Sequence, residues 1–142
     1  MQPAVIILAA GQASRMGSVK ALLQLPGKGC DSSALRGLVD LYRSVGVEEI
    51  VLVSGFHAAA VEAEAAALGV MTVRNPQPDQ GMFSSVRAGV EALARRAFSG
   101  AFFVQPVDVP LVRPLTLMAL LDAAQQDAAD AAAAKLVCGH EW

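Results

Sequence analysis

Arg15 and Lys20 are the side chains whose setting most suggests chemistry, standing in Leu8-Ala9-Ala10-Gly11-Gln12-Ala13-Ser14-Arg15-Met16-Gly17-Ser18-Val19-Lys20 behind an apolar run at residues 4–8. A guanidinium presents a planar fork to phosphate oxygens, and an ammonium acts as a mobile point charge. Gly11 lets backbone amides of Ala10, Gly11 and Gln12 approach an anion with no Cβ in the way. The combination predicts a loop that grips a polyanion. Two common phosphate loops are excluded by spacing. Gly11 and Gly17 are separated by five residues and followed by Ser18-Val19, where a Walker A loop needs a shorter gap and then Lys with Ser or Thr. Gln12-Ala13 supplies no second glycine for a dinucleotide fingerprint.

Asp108 is the second candidate, in Gln105-Pro106-Val107-Asp108-Val109-Pro110. Prolines flanking an acid forbid a helix there. A carboxylate just past a strand serves either as a turn or cap residue, or as a hard oxygen ligand for Mg²⁺ whose shell phosphate oxygens and water complete. Asn75-Pro76 through Gly81-Met82-Phe83-Ser84-Ser85 is a third segment, readable by itself as an ordinary loop with serine at a helix start.

The elements that must position these groups alternate between short β-type runs and helical periodicity, which predicts parallel β-α-β units. Strands are expected at residues 4–9, 49–54, 70–73 and 101–104, with a further one at 131–138. Helices are expected where Leu35, Leu38, Val39, Tyr42 and Val45 recur ahead of Gly46, over 58–68 ahead of Gly69, where Val86, Val90, Leu93 and Ala97 recur ahead of Ser99-Gly100, and over 114–126 with Pro114 at its first position. In an open parallel sheet ligands collect at the carboxyl ends of the strands. The loops at Gly11, Gly55, Asn75 and Asp108 all leave such ends, so one rim should gather them; Gly55, with no charge beside it, reads as structural.

Composition narrows the partners. At 142 residues the chain is expected to be a single domain, with a core that needs no metal or disulfide staple. Cys30 and Cys138 form no C-x-x-C pair and read as reduced structural thiols. A net charge of -2 and 5% aromatic residues give no basic stripe and little to stack on bases, so nucleic acid is not an expected partner. No apolar run reaches the ~20 residues of a membrane span, and no basic flank precedes the first apolar run, so the expected location is cytoplasmic. His57 reads as structural, at a helix start.

The pattern L-A-A-G-x-x-x-R-M-G-x-x-K resembles the signature of the MobA-like nucleotidyltransferases, with the glycines, the Arg-Met-Gly triplet and the Lys all in register. That resemblance implies a three-layer α/β/α fold with a mostly parallel, Rossmann-like sheet. It also implies Mg²⁺-dependent nucleotidyl transfer, with Arg15 and Lys20 on the phosphates and Asp108 as the metal ligand, since Pro-Val-Asp-Val-Pro-Leu-Val is similar to the family's metal-binding Asp segment. Leu8, Ala9, Ala10, Gly11 and Gln12 then line the nucleotide. Asn75 and Gly81 border its pocket, and Ser84 or Ser85 caps the following helix near base or ribose. The Ala-Ala-Gly form of the loop and the Asn-Pro to Ser-Ser segment resemble the branch that uses CTP in preference to GTP. The implied reaction transfers CMP to the phosphate of a molybdopterin cofactor and releases pyrophosphate. A sugar phosphate or another alcohol phosphate is the alternative acceptor, and a noncatalytic nucleotide-binding remnant the alternative class. Gly139-His140 is similar to the family's Gly-His-Pro segment, with Glu141 in place of proline. Because the family continues past that segment with a strand, a helix and a second acidic ligand, the chain ending at Trp142 reads as a shortened member in which an exposed edge favours a homo-oligomer.

Overall fold

The computed structural model describes residues 3–11, 33–107 and 112–126. Strands β1 (Ala4–Ala9), β2 (Ile50–Ser54), β3 (Met71–Arg74) and β4 (Phe102–Pro106) alternate with helices α1 (Ala34–Ser44), α2 (Ala58–Ala67), α3 (Met82–Arg95) and α4 (Pro114–Gln126). A short 3₁₀ turn, Pro78–Gln80, precedes α3. The sheet is parallel throughout, in the order β3-β2-β1-β4.

β1 lies inside the sheet, and all six of its residues are buried. Its β-branched, continuously apolar sequence suits a strand covered on both faces. Alternate residues feed two cores. Val5, Ile7 and Ala9 pack with Leu35, Leu38, Val39 and Tyr42 of α1, Val61 and Ala65 of α2, and Leu117 and Leu121 of α4. Ala4, Ile6 and Leu8 pack on the other side with Ala92 and Leu93 of α3. Each fully buried Leu or Ile in these layers contributes about 1.5–3 kcal/mol over an exposed one. The helices therefore form two layers around the sheet, and the fold is α/β. The chain steps outward from β1 to β2 to β3 through α1 and α2, then returns past β1 to β4 through α3. Reversing the direction of travel while keeping one crossover hand obliges α3 to use the opposite face.

Three details differ from the sequence pattern. The expected 101–104 strand runs on through Gln105 and Pro106, and the Val107 amide still donates to the Leu8 carbonyl at 3.0 Å. Proline is accommodated because alternate amides point to opposite sides of a strand: Val107 faces β1, so the missing donor of Pro106 faces away from it. On α3 the buried stripe is Ser85, Gly89, Ala92 and Leu93, whereas Val90 is exposed. A Cβ on Gly89 would stand 2.5 Å from Ile6 Cγ2, so small residues face the sheet and α3 sits close to β1. Finally, α3 stops at Arg95 with Ala97 at φ 57°, ahead of the Ser99-Gly100 breaker. The expected strand at 131–138 and both cysteines lie outside the described residues.

Candidate functional site at the strand exits

The reversal of strand order falls between β1 and β4, and in open α/β sheets that crevice, outside the carboxyl ends, is where ligands bind. The Val107–Leu8 hydrogen bond puts the two exits side by side. From one exit the chain runs through the buried Ala9 and Ala10 to the exposed Gly11. Among the described residues no atom lies within 4 Å of where a Cβ on Gly11 would be. The other exit is held from both sides of one peptide. Tyr42 Oη donates to Gln105 Oε1 at 2.9 Å, and Gln105 Nε2 donates to the Pro106 carbonyl at 3.0 Å, while the amide of the same peptide belongs to Val107. Burial pushes the Tyr42 hydroxyl well above its ordinary pKa, so it remains a neutral donor. Gln12, Arg15, Lys20, Asp108 and His140 lie outside the described residues.

Gly55 brings a third segment to this rim. A Cβ there would stand 2.7 Å from Ala10 Cβ, 2.8 Å from the Ala10 carbonyl oxygen and 2.8 Å from Pro78 Cβ. Glycine is thus required for the β1 exit and the loop after β3 both to close on the end of β2. Sequence reasoning left Gly55 structural for want of a nearby charge. The available signal was a glycine directly after a buried strand, which often marks a close approach of backbones.

Asn75 is 3% exposed and uses its polar groups internally. Its amide donates to the Ser54 carbonyl at 2.8 Å, extending the ladder, and its Oδ1 accepts from the Gln77 amide at 2.9 Å. Nδ2 donates to Ser84 Oγ at 2.8 Å and to Ser85 Oγ at 3.0 Å. The serines are therefore not caps. Gly81, at φ 89°, occupies the N-cap of α3, and Ser84 and Ser85 sit within the first turn, tied to the loop by Asn75. With glycine at the N-cap, α3 has no side-chain cap bond from that residue, and no acid stands in its first turn. Helix α2 begins likewise, with His57 at its N-cap making no cap bond. Helix N-termini in this condition carry partial positive charge toward an anion.

A parallel sheet with helices on both faces, whose β1 and β4 exits lie side by side where the strand order reverses, defines an α/β protein of the class that binds ligands at that crevice. The model of the MobA-like NTP transferase domain matches residues 5–140, and the chain belongs to that family. It is 38% identical over 144 residues to the bifunctional protein GlmU of Dinoroseobacter shibae, covering 99% of this chain and 30% of that protein. A solved nucleotidyl transferase of Methanothermobacter thermautotroptrophicus superposes with a TM-score of 0.69 at 29% identity, over 85% of this chain and 57% of that one. Rv0371c of Mycobacterium tuberculosis, solved in complex with manganese, superposes with a TM-score of 0.67 at 26% identity, over 89% of this chain and 61% of that one. The chain thus spans less than two thirds of the length of each of these relatives.

Among the described residues no group of three or more His, Cys, Asp or Glu could hold a metal. Among them, too, no helix is long and apolar enough to cross a membrane.

Proposed function

We propose that this chain transfers a nucleotidyl group from a nucleoside triphosphate, with CTP preferred to GTP, to the phosphate of a molybdopterin-type acceptor. The observation that carries the reading is the pairing of the β1 and β4 exits through Leu8 and Val107. The segment with Arg15 and Lys20 and the segment opening at Asp108 leave those neighbouring exits, where a triphosphate and its metal belong.

In this reading an oxygen of the acceptor phosphate attacks the α-phosphorus of CTP, the bond to the β-phosphate bridge breaks, and pyrophosphate leaves with the electron pair. The acceptor phosphate is already ionised near neutral pH and needs no strong base. Amides at Ala10, Gly11 and Gln12 receive phosphate oxygens, and Arg15 holds them with its fork. Lys20 follows the α-phosphate as negative charge develops. Asp108 would hold Mg²⁺, which would supply neutralisation of the triphosphate charge. Asn75 and Gly81 shape the loop against base and ribose, with Ser84 and Ser85 fixed by Asn75 in the helix turn beneath.

The test is thermal stabilisation by each nucleoside triphosphate with Mg²⁺, followed by pyrophosphate release with a panel of acceptor phosphates. CTP should stabilise most, and Asp108→Ala should lose the Mg²⁺-dependent part. Lys20→Ala should cost roughly a hundredfold in rate, near 3 kcal/mol of transition-state stabilisation. If neither CTP nor GTP stabilises the protein, the nucleotide reading fails. Release only with sugar or other alcohol phosphates would replace the acceptor, and binding without release from any acceptor would indicate a noncatalytic nucleotide-binding module.

A further inference from the structure

Glu62 lies in the first half of α2, on the opposite side of the sheet from α3. Its carboxylate is engaged from two directions. Ser54 Oγ donates to Oε1 at 2.8 Å, while Arg74 donates through Nε to Oε1 at 3.1 Å and through Nη2 to Oε2 at 2.9 Å. Ser54 and Arg74 are the last residues of β2 and β3 and stand opposite each other in register. The path continues without a break: the Asn75 amide donates to the Ser54 carbonyl, and the Asn75 side chain donates to Ser84 and Ser85. A hydrogen-bonded strap thus crosses the rim from α2 on one face to the first turn of α3 on the other.

An exposed ion pair alone contributes little. Here Arg74 is 60% exposed, but the Ser54 hydroxyl it shares a carboxylate with is in a residue of 0% exposure, and a buried hydroxyl requires a partner. We infer that Glu62 is a positioning residue for nucleotide binding: it fixes the ends of β2 and β3, and through Asn75 it sets the loop and the start of α3 against the base. This rests on the reading above that residues 75–85 border the nucleotide. Glutamine at this position keeps an oxygen for Ser54 and Arg74 Nε but turns a donor toward Arg74 Nη2, so it removes one of the three bonds; alanine removes all of them.

The experiment measures dissociation constants of CTP and GTP with Mg²⁺ by calorimetry, and the unfolding temperature, for the full chain and for Glu62→Gln, Glu62→Ala, Asn75→Ala and the Glu62→Ala/Asn75→Ala pair. Expected is about tenfold weaker CTP binding in Glu62→Ala, a smaller loss in Glu62→Gln, and a reduced preference for CTP over GTP in both. The double variant should be no weaker than Asn75→Ala alone, because both changes act along one path. Glu62→Gln keeps the test decisive if the alanine variant does not fold. Binding within about twofold of wild type in a folded Glu62 variant, with only the unfolding temperature lowered, overturns the inference while leaving the nucleotide reading intact. Unchanged CTP binding in Asn75→Ala overturns the inference together with the placement of residues 75–85 beside the nucleotide, whereas absence of CTP and GTP binding in the wild type is the separate failure of the nucleotide reading.

Discussion

Where the strands begin, helices α1, α2 and α3 finish in one shared motif, whereas where the strands end, the N-cap residues of α2 and α3, His57 and Gly81, make no side-chain cap bond. The finishing motif is the same pair of backbone bonds each time. Gly46 donates to Arg43 and Val47 to Tyr42; Gly69 to Ala66 and Val70 to Ala65; Ala97 to Ala94 and Phe98 to Leu93. These are Schellman closures, with the left-handed residue at Gly46, Gly69 and Ala97. Arg43 adds a further bond of 2.7 Å to the Leu68 carbonyl at the end of α2. At the other rim α1 has a side-chain cap, Ser33 accepting from the Arg36 amide at 3.1 Å. Each closure satisfies carbonyls of its own last turn. At the open rim polar side chains such as Asn75 shape the loop ahead of α3.

The largest way to break this contrast is Gly55→Val. Its added atoms meet Ala10 and Pro78 at less than 3 Å, so it should cost about 3 kcal/mol in urea unfolding, at the upper end for overpacking, and should also weaken CTP stabilisation. A normal midpoint with normal CTP stabilisation would show that the two loops need not close on Gly55. Next comes a pair of substitutions at the closed end. Gly46→Ala forces alanine to φ near +91° and should cost about 1 kcal/mol. Ala97→Gly relieves the one non-glycine closure and should gain about 0.5–1 kcal/mol, raising the melting temperature by roughly 2 °C. Both should leave nucleotide affinity unchanged; a change in affinity would mean that the two ends are coupled.

The smallest effect is a pH dependence at the open end. Bonds from Arg74 and then Ser54 hold the Glu62 pKa below its ordinary 4.5. A depressed carboxylate contributes its stability above the unfolded value and loses it as pH falls through the folded one. Melting temperatures of Glu62→Gln and wild type should therefore differ most near neutral pH and converge below pH 4.5. A constant difference down to acid pH would remove Glu62 as the titrating group.

Much of the architecture is legible in local pattern. The apolar run of β1, the heptad-like stripe of α1 and the glycines at 46 and 69 each announce their element, because burial on two faces, burial on one stripe and positive φ each restrict residue type locally. Other features depend on what lies opposite. Val90 looks like a core residue until Ile6 fills the space over Gly89 and turns the valine outward. Ser84 and Ser85 look like caps until Gly81 takes that position and Asn75 claims their hydroxyls. Glu62 carries no motif at all, since its partners come from two other elements.

The sequence by itself determined the class of fold, the family, and the residue types suited to a triphosphate at Gly11, Arg15, Lys20 and Asp108. Only the tertiary structure decided that Gly55 is the contact between two loops, that Asn75 spends its amide on the helix beneath, and that Glu62 straps one face of the sheet to the other. Periodicity and spacing are written along the chain, whereas a hydrogen bond or a forbidden Cβ between distant segments exists only once both have been brought to the same rim.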